Sequence, residues 1–536
     1  MDRRTFGKSV LGSALVSAVS PGRARAAGAE KVFTVAMTAA DIPLTTGQAS
    51  QGSEGVRFMG VTAYDALVNW DLSQGSSAAK IRPGLAESWS ADPVQTKRWT
   101  FKLRQGVKFH DGSNFNADAV VWNLDKLMKG SAPQYDAAQS AQAATWTGVL
   151  AEYRVIDPYT VELVTKDADA NLPYEMTSIF YSSPARWVEV GKDWAAFALR
   201  PSGTGPWAVD KVVPRERVEF VRNAAYWERA RVPKADRMII KPMPDGVTRV
   251  SALLNGQVDW VEAPPPDTIA RLKSAGMNIV QNKYPHIWPY LYSTLPDSPF
   301  KDVRVRHAMN FALDRDGLVT LLGGTAIPAK GMVPPGHPWF GKPTIDVGYD
   351  PDWAKKYLAD AGFGPKNRCK VTLLISTSGS GQIQPLPMNE AIKENLEDVG
   401  FEVTLNAMDW ESLRARRRAG AMAPENKGGD ALNNSLGFAD PTSIIQAAFS
   451  QFAPPRGLDW GFFKDAMADD LAGRAMVEFD PGKQEALLAQ LHARIVDQSM
   501  WCWVVHDLNP RALSPKLRGF VQAQSWFQDL TPVEVV

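Results

Sequence analysis

The stretch Trp99–Leu124, WTFKLRQGVKFHDGSNFNADAVVWNL, decides the fold of this chain. Its first residues alternate between apolar and polar, which is the pattern of a half-buried strand. The His-Asp-Gly sequence at 110–112 predicts a turn, because glycine adopts positive φ at little cost. Asn116 is a favourable helix N-cap, and apolar residues at helical spacing follow it. The stretch therefore predicts a compact strand–turn–helix unit.

The residues of this stretch resemble the sequence signature of a large protein family. That family comprises the periplasmic solute-binding proteins of ABC importers that bind dipeptides, oligopeptides and nickel (family 5). Six further motifs resemble those of the same family, in the right order and at plausible spacing: Ile81–Trp89, Pro201–Trp207, Arg222–Trp227, Asn255–Asp259, Phe300–Arg315 and Tyr349–Phe363. One such match is weak support for a relationship, whereas seven in order are strong.

The resemblance implies an α/β fold of two lobes, the type II-like periplasmic binding protein fold, whose hinge contains crossover strands. It also implies an extra α+β domain in the first lobe. Mapped onto this chain, the main lobe takes residues 27–68, 198–284 and 505–536. The extra domain takes 69–197 and the second lobe takes 285–504. Closure of two such lobes around a solute is a standard switching motion.

The second half of the chain predicts α/β structure from its residues alone. Asp350 is a favourable N-cap with Pro351 in the first helical position. A strand at 371–375, an amphipathic helix at 388–399 and a strand at 401–405 form a βαβ unit, which is right-handed by strong precedent.

The N-terminus reads as an export signal. Arg3-Arg4 resembles a twin-arginine motif, a mildly apolar run follows it, and Ala24-Arg25-Ala26 resembles a cleavage site. The apolar run is too short to span a bilayer, which takes about 20 residues. We therefore expect residues 1–26 to be a signal peptide and the mature chain to be periplasmic. No cysteine lies near the cleavage site, so we expect no lipid anchor.

The charge composition argues against a nucleic-acid partner. The 59 Lys and Arg nearly balance the 58 Asp and Glu, so the chain lacks the basic excess of a nucleic-acid binder.

The two cysteines of the chain, Cys369 and Cys502, both lie in apolar, strand-like runs. They are either two buried free thiols or a disulfide, which needs Cα atoms within about 7 Å.

The sequence gives little support for catalysis. It contains no G-x-S-x-G elbow, no H-E-x-x-H motif and no P-loop, and its six histidines show no spacing typical of metal ligands. We therefore predict no catalytic residues, no metal ligands and no cofactor. An exported periplasmic enzyme remains the alternative from another functional class.

Two segments resemble the parts of the family that contact the ligand. In the first, DWESLRARRRAG at 409–420, Trp410 matches a tryptophan that lines the cavity. Arg417 matches an arginine that meets a peptide carboxylate, with Arg416 and Arg418 as close competitors. A guanidinium suits this task because it is always charged and binds carboxylates bidentately. The alternative is a solvated basic helix face.

In the second segment, at 437–443, Asp440 matches an aspartate that binds the α-amino group of a peptide. The chain lacks about three residues of the family pattern after this aspartate. Asp440 is therefore either a ligand contact or the N-cap of a helix that starts at Pro441. Further aromatic side chains are candidates for the cavity wall, although each is more often a core residue: Tyr64, Trp288, Tyr290 and Phe438.

These observations predict a monomeric periplasmic receptor that captures a small solute and delivers it to an ABC permease and its ATPase at the inner membrane. The leading solute is a peptide. A metal chelate, an opine, an oligosaccharide or an aromatic acid is the alternative within the same fold.

Overall fold

Two large mixed sheets and one smaller antiparallel sheet organise the protein. The computed structural model describes residues 30–284, 286–379, 381–454 and 457–536, with the backbone alone at position 53. The predicted signal peptide at 1–26 lies outside the described residues. The strands are numbered β1–β22 and the α-helices α1–α17 along the chain.

The first sheet has seven strands. Its central strand β1 runs parallel to both neighbours, and the outer strands pair antiparallel. In spatial order the strands are β12 (Asn278–Val280), β20 (Arg511–Leu513), β11 (Trp260–Glu262), β1 (Val32–Met37), β10 (Arg237–Pro242), β9 (Arg217–Arg222) and β8 (Trp207–Val213).

The second sheet also has seven strands. In spatial order they are β14 (Ala326–Pro328), β19 (Trp501–Asp507), β13 (His286–Tyr292), β17 (Ala431–Asn433), β15 (Cys369–Ser376) and β16 (Phe401–Met408), while β18 (Leu436–Gly437) also pairs with β13. Strands β15 and β16 are parallel and joined by a helix, which confirms the predicted βαβ unit.

The smaller sheet is antiparallel and contains β4 (Ala86–Ala91), β5 (Arg98–Leu103), β7 (Thr160–Thr165) and β6 (Leu150–Asp157) in spatial order. The remaining strands form two pairs: β2 (Val68–Trp70) with β3 (Ile81–Pro83), and β21 (Leu517–Arg518) with β22 (Glu534–Val535).

Helices cover the sheets. The α-helices are α1 (Gly52–Gly55), α2 (Val61–Ala63), α3 (Ala117–Met128), α4 (Ala137–Thr147), α5 (Leu172–Glu175), α6 (Pro184–Glu189), α7 (Trp194–Leu199), α8 (Gly246–Leu254), α9 (Ile269–Ser274), α10 (Val303–Ala312), α11 (Arg315–Leu321), α12 (Pro351–Asp360), α13 (Pro385–Val399), α14 (Trp410–Ala419), α15 (Pro441–Ala448), α16 (Ala466–Met476) and α17 (Pro481–Asp497). A π-helical turn, Val56–Gly60, connects α1 to α2. Short 3₁₀ turns occupy Arg229–Arg231, Pro266–Thr268, Pro299–Lys301, Pro338–Phe340, Pro424–Asn426 and Ser450–Phe452.

The strand–turn–helix unit predicted from Trp99–Leu124 is confirmed. Strand β5 leads into the turn, and Asn116 caps α3 by accepting a 3.0 Å hydrogen bond from the amide of Ala119. His110 links the turn to the segment that precedes β8, since its Nε2 lies 2.9 Å from the carbonyl oxygen of Gly205. The signature histidine therefore has a structural role.

Two chain segments pass between the large sheets. One joins β12 to β13, and the other joins β19 to β20. Each large sheet has its own buried apolar clusters, and the small sheet packs on α3 through a further cluster. This arrangement is the two-lobed fold that the sequence predicts. The exact domain boundaries given above stay a prediction.

The two cysteines are free and fully buried. Cys369 lies on β15 and Cys502 on β19, and two other strands of the second sheet lie between them. The structure thus selects the two free thiols over the disulfide, because strands about 4.8 Å apart place these positions beyond the reach of a bond.

Candidate functional site

Trp410 begins α14 at the carboxyl end of β16. Asp409 caps this helix by accepting a 3.0 Å hydrogen bond from the amide of Ser412. The indole of Trp410 is half-buried, and Gly379, from the loop after β15, lies against it. A Cβ on Gly379 would come within 2.5 Å of the ring. The ends of two parallel strands therefore meet at Trp410, which is where ligands bind in many α/β folds.

Arg417 lies two turns further along the same face of α14. Its side chain is half-buried and forms no hydrogen bond or ion pair with any residue in the described ranges, and its Nε is shielded from solvent. Burial, followed by the nearby charges of Arg414 and Arg418, lowers the pKa of Arg417 to about 10. An uncompensated guanidinium of this kind is suited to an anionic partner.

The neighbouring arginines have other roles. Arg416 donates a 2.7 Å hydrogen bond to the carbonyl oxygen of Glu425, and Arg418 is exposed. The structure thereby separates the three arginines that the sequence left as competitors. Whether Arg417 contacts a solute stays a prediction.

Asp440 is the N-cap of α15. Its Oδ1 accepts a 2.8 Å hydrogen bond from the amide of Ser443, and the Ser443 hydroxyl donates to the Asp440 carbonyl. Asp440 therefore acts as the N-cap of α15, which is one of the two roles predicted from the sequence. Burial raises the pKa of Asp440, and these hydrogen bonds only partly oppose that effect.

The turn before α15 contacts the half of the protein that is built on the first sheet. Ala439 packs among Trp70, Tyr174 and Phe527. Burial and then the charge of Asp440 raise the pKa of Glu175, at the end of α5, well above its usual value. The sequence analysis did not identify Glu175, because no local pattern distinguishes it from other acidic residues on short helices.

The four aromatic candidates for the cavity wall are fully buried. Phe438 packs against Trp501, with 5.9 Å between ring centroids, and Trp288 Nε1 donates to the carbonyl oxygen of Gln382 at 3.1 Å. The Tyr290 hydroxyl donates to Asn389. All three are core residues in this conformation, and a role as ligand contacts stays a prediction.

The fourth, Tyr64, borders a small cavity. Its hydroxyl donates to the carbonyl oxygen of Thr45, and its ring lines a cavity of about 20 Å³ together with Trp70, Phe527 and Gln528. Trp70 Nε1 and both amide atoms of Gln528 lack hydrogen-bond partners among the described residues. The cavity therefore has a polar lining close to the contact between the two halves.

A second group of polar side chains meets where the chain passes between the sheets. The ring of Trp526 stacks on His286 with 4.5 Å between centroids and lies 5.3 Å from the ring of Tyr284. The Arg57 guanidinium lies 5.2 Å from the Trp526 ring. We call these four residues the hinge cluster. The sequence analysis missed it, because its members come from distant segments.

The two halves also touch at a rim formed by other residues. The amide of Ala170 donates to the carbonyl oxygen of Met476 at 2.9 Å, and Gln484 Nε2 donates to Asn171 Oδ1 at 2.9 Å. The ring of Phe479 packs against Trp99 with 5.8 Å between centroids. The structure thus brings the lobes together both at the hinge cluster and at this rim.

The described ranges contain no group of three or more His, Cys, Asp or Glu side chains arranged to hold a metal ion. They also contain no helix whose length and apolar character suffice for a membrane span.

Known proteins resemble this chain over most of its length. The sequence profile of the bacterial extracellular solute-binding proteins, family 5 Middle, matches residues 80–442. Glutathione-binding protein GsiB of Escherichia coli O1:K1 / APEC is 30% identical over 465 residues, which are 82% of this chain and 83% of that protein. Heme-binding protein A of Haemophilus influenzae is 26% identical over 479 residues, 86% of this chain and 84% of that protein.

A solved structure is also similar to this fold over most of the chain. The structure of HbpA2 from Haemophilus parasuis superposes with a TM-score of 0.80 at 20% sequence identity and covers 94% of this chain and 100% of that one. At this identity the likeness establishes the shared two-lobed architecture and leaves the bound solute open.

Proposed function

We propose, from the premise that this chain belongs to family 5 of the bacterial extracellular solute-binding proteins, that it captures a peptide between its two lobes. The profile of that family covers well over half of the chain. The protein is the solute-binding component of an ABC import system. In our proposal it releases the peptide, chemically unaltered, to the membrane permease.

The observation that carries the peptide assignment is the unpaired guanidinium of Arg417. It lies on the face of α14 that begins with Trp410, and no described acidic residue neutralises it. A peptide carboxylate provides the missing charge and fits the planar fork of an arginine. The carboxylate of Asp440 pairs with the amino group at the other end of the same solute.

One of the two relatives supports the same class of solute. GsiB, a relative at 30% identity, is described as a glutathione-binding protein, and glutathione is a small peptide with free carboxylates. Heme-binding protein A supports a different ligand at slightly lower identity. The charges at Arg417 and Asp440 favour a zwitterionic solute over a large apolar one.

The test compares Arg417→Ala with Arg418→Ala, which removes the same charge from an exposed position on the same helix. Calorimetric titration with peptides that carry either a free or an amidated C-terminus gives the affinities. We expect Arg417→Ala to weaken binding of the free acid by about 2 kcal/mol and to abolish the preference over the amide. Arg418→Ala leaves both unchanged. Equal effects of the two variants contradict the proposal.

The identity of the native solute needs a separate measurement. Native mass spectrometry of the protein isolated from its own host detects what co-purifies with it. We expect a mass that fragments as a peptide. A metal chelate, an opine, an oligosaccharide or an aromatic acid overturns the peptide assignment, and recovery of a chemically converted solute overturns the receptor assignment.

Export by the twin-arginine route is part of the proposal. Arg3-Arg4 and the small-residue site at Ala24-Arg25-Ala26 support it. A reporter fused to residues 1–26 should reach the periplasm in a normal strain and remain inside a strain without the twin-arginine translocase. Export in both strains contradicts this route, and export in neither contradicts the signal peptide.

A further inference from the structure

The hinge cluster contains polar atoms that the fold itself does not satisfy. Arg57 Nε, Trp526 Nε1, His286 Nδ1 and the Tyr284 hydroxyl are shielded from solvent and have no hydrogen-bond partner within the part of the chain that the structure describes. Arg57, Tyr284 and His286 are each at most 4% exposed. Unsatisfied buried polar groups cost about 1–3 kcal/mol each, so four of them around one indole ring require an explanation.

The cluster draws its members from both sides of the hinge. Arg57 lies on the π-helical turn beside the first sheet, and Trp526 belongs to the C-terminal segment. Tyr284 lies in the connection between the sheets, and His286 begins β13 of the second sheet. A group bound here therefore contacts both lobes at once. Helices of the π type are rare and occur frequently at functional sites.

Two guanidinium groups share one carboxylate beside the cluster. Arg57 and Arg511 both bind the buried carboxylate of Glu262, at 2.9 Å each, and the charge of Arg57 also acts on the carboxyl group of Glu54. Asp507 opposes a further anion, since its Oδ2 lies 3.8 Å from His286 Nδ1. Burial raises the pKa of Asp507 to about 6. Proton uptake by Asp507 near this pH therefore weakens its repulsion of a bound anion.

The cluster lies beside the wall that contains Trp410. Gly381 packs so closely on His286 that a Cβ would come within 2.7 Å of the ring, while Gly379 packs on Trp410. Two residues of chain span at most about 7 Å, so one short loop borders both places. A single small solute can therefore reach from α14 to the hinge cluster.

We propose that the hinge cluster is a second oxyanion subsite, which selects peptides that carry an additional carboxylate on a side chain. This inference rests on the proposed function and deepens it. The Arg57, Trp526 and Tyr284 N–H and O–H groups donate to the carboxylate oxygens. Because His286 at the start of β13 brings the second lobe against these first-lobe donors, the acidic side chain also favours the closed arrangement.

The test uses tripeptides that differ only by a carboxylate or an amide. Glu and Gln are compared at each of the first two positions of an otherwise alanine tripeptide, by calorimetry on the full mature chain. At one position at least, the wild type should bind the Glu peptide about tenfold or more tightly than its Gln counterpart.

The double variant Tyr284→Phe/Trp526→Phe removes two donors, and it keeps an aromatic ring at each position, although the phenyl group is smaller than the indole. It should lower that Glu-over-Gln ratio to nearly one. Tyr181→Phe is the matched control, because it removes another buried hydroxyl without a partner in the described ranges, within the apolar cluster of the small sheet. Thermal unfolding of each variant shows whether it is folded.

The outcomes separate the two proposals. Arg417-dependent binding of Glu and Gln peptides with equal affinity overturns the hinge subsite and leaves the peptide receptor in place. A Glu preference that survives the double variant also overturns the subsite. Failure of the wild type to bind any of the peptides overturns the peptide assignment, and the subsite with it.

Discussion

Asp440, the N-cap of α15, lies close enough to Glu175, at the end of α5, to raise the pKa of that buried carboxyl group across the contact between the two lobes. Neither residue forms an ion pair with a described basic side chain, and the charge of Asp169 adds to the repulsion. Each lobe thus contributes a carboxyl group whose pKa is raised by burial.

Stability should depend on pH through Glu175. Its pKa is raised in the folded protein, chiefly by burial and then by Asp440, so the folded chain retains a proton that the unfolded chain releases above about pH 4. This contribution is complete below the unfolded pKa and is lost as the pH rises towards the folded pKa. A glutamine at position 175 cannot ionise, so Glu175→Gln does not lose stability as the pH rises. The Tm of this variant should therefore exceed that of the wild type by an amount that grows from pH 5 to pH 8.

Differential scanning calorimetry across that range measures the effect. The exposed Glu485 supplies the control variant Glu485→Gln, which loses the same charge on α17. A Tm difference for Glu175→Gln that does not change with pH would refute a proton held at this position.

Two substitutions at Asp440 separate its two roles. Asparagine retains the N-cap and removes the charge, whereas alanine removes both. We expect Asp440→Ala to lower stability by about 1 kcal/mol and Asp440→Asn to leave it nearly unchanged. Both should weaken binding of a peptide with a free amino group by about 2–5 kcal/mol if a buried amine pairs with this carboxylate. Unaltered affinity in Asp440→Asn would assign the residue to capping alone.

Gly379 should be essential for the position of the Trp410 ring. Its φ of 141° disfavours other residues, and an added methyl group would overlap the indole. Gly362→Ala is the control, since Gly362 has a φ of 92° and open space around its Cα. Gly379→Ala should cost about 1–3 kcal/mol more than the control and also weaken peptide binding. Equal stability losses in denaturant unfolding would show that the indole moves aside freely.

The thiols should be inert in the native protein. Burial raises the pKa of Cys369 to about 12 and that of Cys502 to about 11, so neither forms a thiolate at neutral pH. A thiol reagent should label neither residue before unfolding and both residues in denaturant. Rapid labelling of the native chain, or a disulfide found after oxidation, would contradict the buried positions on β15 and β19.

Short sequence patterns were sufficient to predict the local secondary structure and the protein family. The signature at Trp99–Leu124 specifies β5, its turn and α3 through alternation, glycine placement and an N-cap, all of which act within a few residues. The βαβ unit of β15, α13 and β16 was predictable for the same reason. These features depend on the conformational preferences of residues that are close together in the sequence, so the sequence is sufficient to predict them.

Which side chains meet depends on the tertiary structure. It distinguished Arg417 from Arg416 and Arg418, showed that Asp440 caps α15 and placed the two thiols on separated strands. It also brought the hinge cluster together from three distant segments. Burial, charge compensation and hydrogen-bond satisfaction depend on neighbours from remote parts of the chain. No local pattern records them, because they arise only when the two lobes pack together.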